Sequence, residues 1–278
     1  MARFEQIRGG YVNVTLDGVD FRIYFEEAGE GVPLLLLHTA GADSRQWRHV
    51  LNDKDVTSKF RVVAFDLPWH GRSNPPAQWW LNAYALSTRL YIGIIRAVWA
   101  AFEMERPVVM GCSVGGYIVL QLAHDFNNEL RGVVGLQSIA KSPGRYNEFL
   151  HHPQINGGEF VASWTYGLNS PYSPEESRRE NWWYYAQGGP GVYAGDTAFG
   201  REFDMRDKLK NIDTSKCKVS ILSGEYDYSA LPEVSKAVAD EIPGARFKLM
   251  KRMGHFPIIE DYPNFKSYMM EELNFMLK

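Results

Sequence analysis

Five short runs constrain this chain most: PLLLLH (33–38), RVVAFD (61–66), VVMG (108–111), GVVGLQ (132–137) and KVSILSG (218–224). Each is apolar at consecutive rather than alternate positions, the pattern of a strand covered on both faces in a parallel sheet. RFKLMKRM (246–253) reads as a further strand. Helical patterns fall between and after them, over about 82–102, 117–123 and from 264 to the end. Strands alternating with helices predict an α/β fold, with a mostly parallel central sheet and helices on both faces. Ahead of these runs, YVNVTLDGVDFRIYFEEAG alternates on either side of Asp17-Gly18 and predicts a hairpin.

The interval 143–203 breaks this rhythm. Gly and Pro punctuate helical pieces there, and no core strand is evident. A structureless loop of that length is foreign to a compact domain. The interval therefore reads as a helical cap, or lid, inserted into a core made of 1–142 and 204–278, an organisation that a chain of 278 residues accommodates. It holds 13 aromatics in 61 residues, against 14% aromatics for the whole chain, which is more than a solvated linker carries. Most are expected to pack the cap onto the core and a minority to line an apolar pocket. Trp164, Trp183 and Tyr184 are the cap candidates for that lining.

Other properties exclude function classes. A net charge of −3 gives no basis for binding nucleic acid or an acidic membrane surface. No apolar run approaches the ~18 residues of a membrane span, and the opening MARFEQIRGGYVNV lacks the apolar stretch of a secretion signal. Cys112 and Cys217 both sit beside strand-like segments and read as buried thiols in a reducing, cytoplasmic setting. No H-x-x-x-H or C-x-x-C pattern occurs, which disfavours a metal site.

A serine interrupts the near-continuous apolar run PVVMGCSVGGYIVLQLA (107–123). Ser113 falls in G-C-S-V-G between a buried strand and an apolar helix, at the end of the strand where open parallel sheets bind ligands. Small residues at 111 and 115 permit a sharp turn that lifts the hydroxyl above the sheet, near the positive end of the helix. Gly116 allows close helix packing. Centring the turn on Cys112 instead would put Met110 and Val114 where it needs small residues. A serine nucleophile requires a base, and the base an orienting group. His255, in RMGHFPIIEDYPNF, lies just beyond the last strand, whereas His38 and His70 read as structural. Glu225 and Asp227 follow KVSILSG, while the strand ending at Gln137 offers Gln137 and Ser138 but no carboxylate.

Taken in order, LLLLHTAG, DLPWHGRS, GCSVGG, GEYD and MGHFPIIEDYPNF resemble the α/β-hydrolase superfamily. The resemblance covers nearly the whole chain. It implies Ser113 as nucleophile, His255 as general base and Asp227 as the acid, with Glu225 structural. It implies oxyanion donors at the N–H groups of Val114 and Ala40, with Thr39 adding its hydroxyl. Two positions depart from the pattern. Thr39 stands where the family commonly has glycine and resists positive φ, so an altered loop shape is expected. Trp69 replaces the usual glycine of DLPWHGRS and is expected to be structural or to narrow the pocket mouth. Arg45 and Arg72 are either loop tethers or contacts for an anionic group. The resemblance implies no metal or organic cofactor. Its partner is a small apolar or aromatic molecule bearing an ester, lactone or related acyl bond, and self-association stays open. Capped relatives with this triad also hydrolyse C–C bonds of diketone or dienoic substrates, or serve as ligand receptors. Dehalogenases and typical epoxide hydrolases of the family use an aspartate where Ser113 stands.

Overall fold

The computed structural model describes residues 2–142, 147–152 and 154–278. Its strands are β1 Arg8–Leu16, β2 Val19–Ala28, β3 Val32–Leu37, β4 Phe60–Phe65, β5 Val108–Cys112, β6 Gly132–Leu136, β7 Lys218–Gly224 and β8 Arg246–Met250. They form one eight-stranded sheet in the order β1-β2-β4-β3-β5-β6-β7-β8. β2 is antiparallel to β1 and β4, and every other pairing is parallel. The hairpin between β1 and β2 turns on Asp17 and Gly18, whose φ values of 52° and 77° give the turn whose twist matches paired strands.

The helices are α1 Arg48–Leu51, α2 Lys54–Thr57, α3 Thr88–Ala101, α4 Val114–Asp125, α5 Gly157–Tyr166, α6 Glu175–Ala186, α7 Val192–Glu202, α8 Pro232–Glu241, α9 Pro257–Glu260 and α10 Tyr262–Leu277. Successive strand residues point to opposite faces of the sheet. Leu35, Val63, Val109 and Val133 therefore join one apolar cluster with α3, α4 and α8, while Leu34, Leu36, Val62 and Met110 join another with α1 and α10. Burial on both faces is why these strands are apolar at every position. The helix predicted from residue 82 starts instead at Thr88. Ser87 caps it, its hydroxyl accepting from the Leu90 N–H at 3.1 Å. Trp79–Leu81 forms an exposed 3-10 turn ahead of it.

Helices α5, α6 and α7 lie between β6 and β7, in the stretch read as a helical insertion. Lys141 and Asp204 pair in an isolated antiparallel bridge at its stem. The expected first residues of the insertion, 143–146, lie outside the described residues. Val161, Ala162 and Tyr185 of the insertion form a small cluster with Ala42 and Phe256. The two core residues come from the loops after β3 and β8, so the insertion sits over the carboxyl ends of the parallel strands.

Candidate active site

Ser113 links β5 to α4 with φ 57° and ψ −119°, a conformation that side chains with a Cβ avoid. Its surroundings hold it there. The Ser113 N–H donates to the Leu136 carbonyl at 3.0 Å, and the Tyr117 N–H donates to the Ser113 carbonyl at 2.8 Å. A Cβ at 111 would stand 2.3 Å from the Gly115 carbonyl oxygen, and one at 116 would stand 2.2 Å from that of Leu136. Glycine at these positions is thus a steric requirement of the turn. Cys112 faces away into the core. Its thiol donates to the His255 carbonyl at 3.4 Å, and burial pushes its pKa well up, which removes it as a nucleophile.

His255 and Asp227 are brought together from separate loops. The Nδ1 of His255 lies 2.9 Å from both carboxylate oxygens of Asp227. A proton on Nδ1 leaves Nε2 as the acceptor. Asp227 Oδ1 also accepts from the N–H groups of Ser229 and Ala230, at 2.7 and 3.0 Å. Glu225 instead ties the two loops together, accepting from Lys251 Nζ at 2.8 Å and the Arg252 N–H at 3.0 Å. Two further residues carry the scaffold, and sequence reasoning gave neither a role. Gln137 donates its Nε2–H to the Gly254 carbonyl at 2.8 Å and accepts from the Gly224 N–H at 2.9 Å. Glu260, fully buried, accepts from the N–H groups of Gly254, Phe256 and Ser170 at 2.6, 2.8 and 3.2 Å. The available signals were an amide at a strand end and an acid six residues past Gly254, both too common to single out.

In the loop after β3 the positive φ falls on Gly41 (71°), and Thr39, expected to resist it, is spared. Both the N–H and the hydroxyl of Thr39 donate to Gln46 Oε1, at 3.1 and 3.0 Å, and the hydroxyl lies 2.5 Å from the Tyr185 hydroxyl. Thr39 is therefore a tether to the loop and the cap, in place of the extra oxyanion donor expected of it. The N–H groups of Ala40 and Val114 have no hydrogen-bond partner among the described residues. Ala40, Val114 and Ser113 line one cavity.

Both structural histidines lie beneath this loop. The Nδ1 of His38 donates to the Thr39 carbonyl (2.8 Å) and its Nε2 accepts from the Leu67 N–H (3.1 Å). That ring is neutral, and burial together with the neighbouring His70 pushes its pKa down to about 4. Arg45 pairs with Asp43 and Gln187, and Arg72 with Glu26, so both arginines are tethers.

Two small cavities meet at Ser113 and Ala40. Tyr117, Ser142 and Thr197 bring hydroxyls to the first, whose lining is still mostly apolar. Thr165, Leu168, Tyr185, His255 and Phe256 line the second with polar and apolar groups in similar measure. Tyr193 walls both, and a third small cavity that opens among the cap glycines.

The four aromatics expected to line the pocket lie elsewhere. Trp69 has φ 71° and stacks on Tyr84, with ring centres 4.4 Å apart. Trp164 packs against Phe160 and Tyr193. Trp183 is 55% exposed. Tyr184 donates its hydroxyl to Glu180 and packs into the core. One residue along a helix is about a 100° rotation. Thr165 and Tyr185 therefore face the cavity where Trp164 and Tyr184 turn away.

A family model, that of the alpha/beta hydrolase family, matches residues 34–265. An uncharacterized protein of Mycobacterium tuberculosis is 33% identical over 107 residues, covering 38% of this chain and 29% of that one. This chain thus matches under a third of that relative's length. A thermophilic esterase from Thermogutta terrifontis has a TM-score of 0.83 at 20% identity, covering 96% of this chain and 99% of that one. An enol-lactonase from Burkholderia xenovorans LB400 has a TM-score of 0.81 at 19% identity, covering 95% and 100%. At these identities the likeness is one of fold.

Proposed function

Because the chain belongs to the alpha/beta hydrolase family, we propose that it is a serine hydrolase cleaving an ester or lactone bond of a small substrate. The observation that carries this reading is the strained backbone of Ser113, in a cavity shared with an imidazole that Asp227 holds by Nδ1. In the reaction, His255 Nε2 takes the Ser113 proton as the hydroxyl oxygen attacks the carbonyl carbon. The developing oxyanion accepts from the unpartnered N–H groups of Val114 and Ala40, where each donor supplies about 3 kcal/mol of transition-state stabilisation. Asp227 keeps the imidazole in its working tautomer and stabilises the imidazolium. His255 then protonates the departing alkoxide, and a water activated by the same ring hydrolyses the acyl-enzyme. The esterase and the enol-lactonase among the structural relatives act on bonds of this kind.

The two small cavities that meet at Ser113, lined by both hydroxyl and apolar groups, support a small acyl substrate. The test is hydrolysis of p-nitrophenyl acetate and a small aryl lactone by wild type and Ser113→Ala. The substitution is expected to lower kcat at least a thousandfold. Turnover that survives it would overturn the assignment, and release of a single product per chain would favour a ligand receptor.

A further inference from the structure

We infer that Asp196, on cap helix α7, is a positioning residue that holds the oxyanion loop in place by binding Gly41. The inference rests on the reading of Ser113 as nucleophile and adds a residue from the cap to it. Asp196 is fully buried beside Ser113, and its carboxylate is saturated by groups from three parts of the core. Oδ2 accepts from the Gly41 N–H and from His70 Nε2, both at 2.7 Å, and Oδ1 accepts from the Tyr84 hydroxyl at 2.7 Å. The donors come from the loop after β3, the loop after β4 and the segment before α3. None of them belongs to the chemistry of Ser113, His255 and Asp227.

The charge state follows from the contacts. His70 Nδ1 donates to the Pro68 carbonyl at 2.9 Å. With Nε2 donating to Asp196, both ring nitrogens carry protons and the ring is an imidazolium. The two side chains form an ion pair with no solvent exposure. A buried ion pair stabilises little by itself, but removing one partner leaves an unpaired charge in the interior. The other groups facing His70 are His38, with ring centres 4.9 Å away, Asp66 and Tyr84. Asp43, Asp66 and Arg45 form the adjoining charge cluster.

The consequence for the site is geometric. Gly41 sits at φ 71° directly after Ala40. Fixing the Gly41 N–H fixes the plane of the peptide joining the two residues. That peptide plane, with the turn closed by the Ala42 N–H on the Thr39 carbonyl (3.3 Å), orients the Ala40 N–H. A donor that must meet an oxyanion within a few tenths of an ångström depends on such support. A closed cap thereby completes the oxyanion site as well as covering it.

The experiment compares wild type, Asp196→Asn, His70→Gln and the control Trp183→Ala. It uses hydrogen exchange of the peptide covering 38–46, kcat and KM for p-nitrophenyl acetate, and inhibition by a trifluoromethyl ketone, which forms a tetrahedral adduct. Asp196→Asn is expected to speed exchange at 39–42 at least tenfold. It lowers kcat 10- to 100-fold with KM within about twofold, and weakens ketone inhibition in step with kcat. His70→Gln moves the same readouts less, and Trp183→Ala moves none. Wild-type exchange at 39–42 in a folded Asp196→Asn chain, or a loss confined to KM, overturns the inference. If Asp196→Asn does not fold, unchanged exchange in His70→Gln overturns it. If wild type cleaves no ester, the hydrolase reading falls, while the exchange measurement still tests the clasp on Gly41.

Discussion

Replacing Ser113 with glycine is expected to make the protein more stable as it becomes inactive. Ser113 occupies φ 57°, ψ −119°, where a Cβ-bearing residue carries about 1–3 kcal/mol of strain. Glycine adopts that conformation freely, and the backbone bonds at 113 use main-chain atoms that glycine retains. Against this stands the larger conformational freedom of an unfolded glycine, about 0.4–1 kcal/mol. At the midpoints of the two ranges the net is a gain of about 1.3 kcal/mol. For a chain of 278 residues the unfolding entropy is about 0.6 kcal/mol/K, so each kcal/mol moves Tm by about 2 °C. Ser113→Gly should therefore melt about 2 °C above wild type.

Alanine supplies the control, because it loses the hydroxyl but keeps the Cβ. Ser113→Ala should be as inactive as Ser113→Gly yet melt close to wild type. Calorimetry with a matching shift in the denaturant midpoint separates the two, and an unchanged m-value excludes an effect on the unfolded chain's compactness. If Ser113→Gly melts at or below Ser113→Ala, the turn stores no strain and the steric account of the glycines around it is wrong.

Other outcomes follow from the same geometry. Asp227→Asn should lower kcat about 10⁴-fold by admitting the wrong imidazole tautomer, whereas Glu225→Gln, which loosens only the ties to Lys251 and Arg252, should cost under tenfold in steady-state kinetics. Tyr193→Ala removes the wall common to three cavities and should raise kcat/KM for octanoate relative to acetate esters at least tenfold, since each buried methylene contributes about 0.8 kcal/mol. His38 is held neutral, its pKa lowered from 6.5 to about 4. Its contribution is therefore complete above pH 6.5 and is lost as pH falls from there towards 4, a drop of about 3 kcal/mol. Denaturant titrations at pH 7 and 4.5 should show that loss in wild type and much less of it in His38→Asn.

The core was legible because its constraints act over short stretches of chain. β5, the turn at Ser113 and α4 are contiguous, and the glycines that make the turn possible lie within three residues of it. The apolar runs mark strands buried on both faces, so their order and type could be read without knowing their partners. Asp227 and His255 were legible as candidates for a related reason, since each follows a strand end. The cap was not. In NWWYYAQ every position is bulky or polar without period, so nothing in the sequence says which side faces inward. The choice between Tyr184 and Tyr185 is made by packing against Phe256 and Tyr193, residues distant in sequence. Asp196 was invisible for the same reason, as its donors come from residues 41, 70 and 84.

Thr39 shows how the two kinds of information meet. A threonine in a position that commonly holds glycine marked the loop as different, but its consequence lies outside the loop. With positive φ moved to Gly41, the loop is secured at three points by cap residues: Thr39 by Tyr185, Gly41 by Asp196 and Arg45 by Gln187. The cap residues come from α6, its carboxyl-terminal cap and α7. A core stripped of its cap would keep Ser113 and Asp227 on their strand ends but would take from His255 the Leu168 carbonyl to which its N–H donates at 3.1 Å. It would lose the supports that aim the Ala40 N–H. On the proposed reading, Ser113 and Asp227 stand on core strand ends, whereas the His255 loop and the oxyanion loop are each held jointly by core and cap.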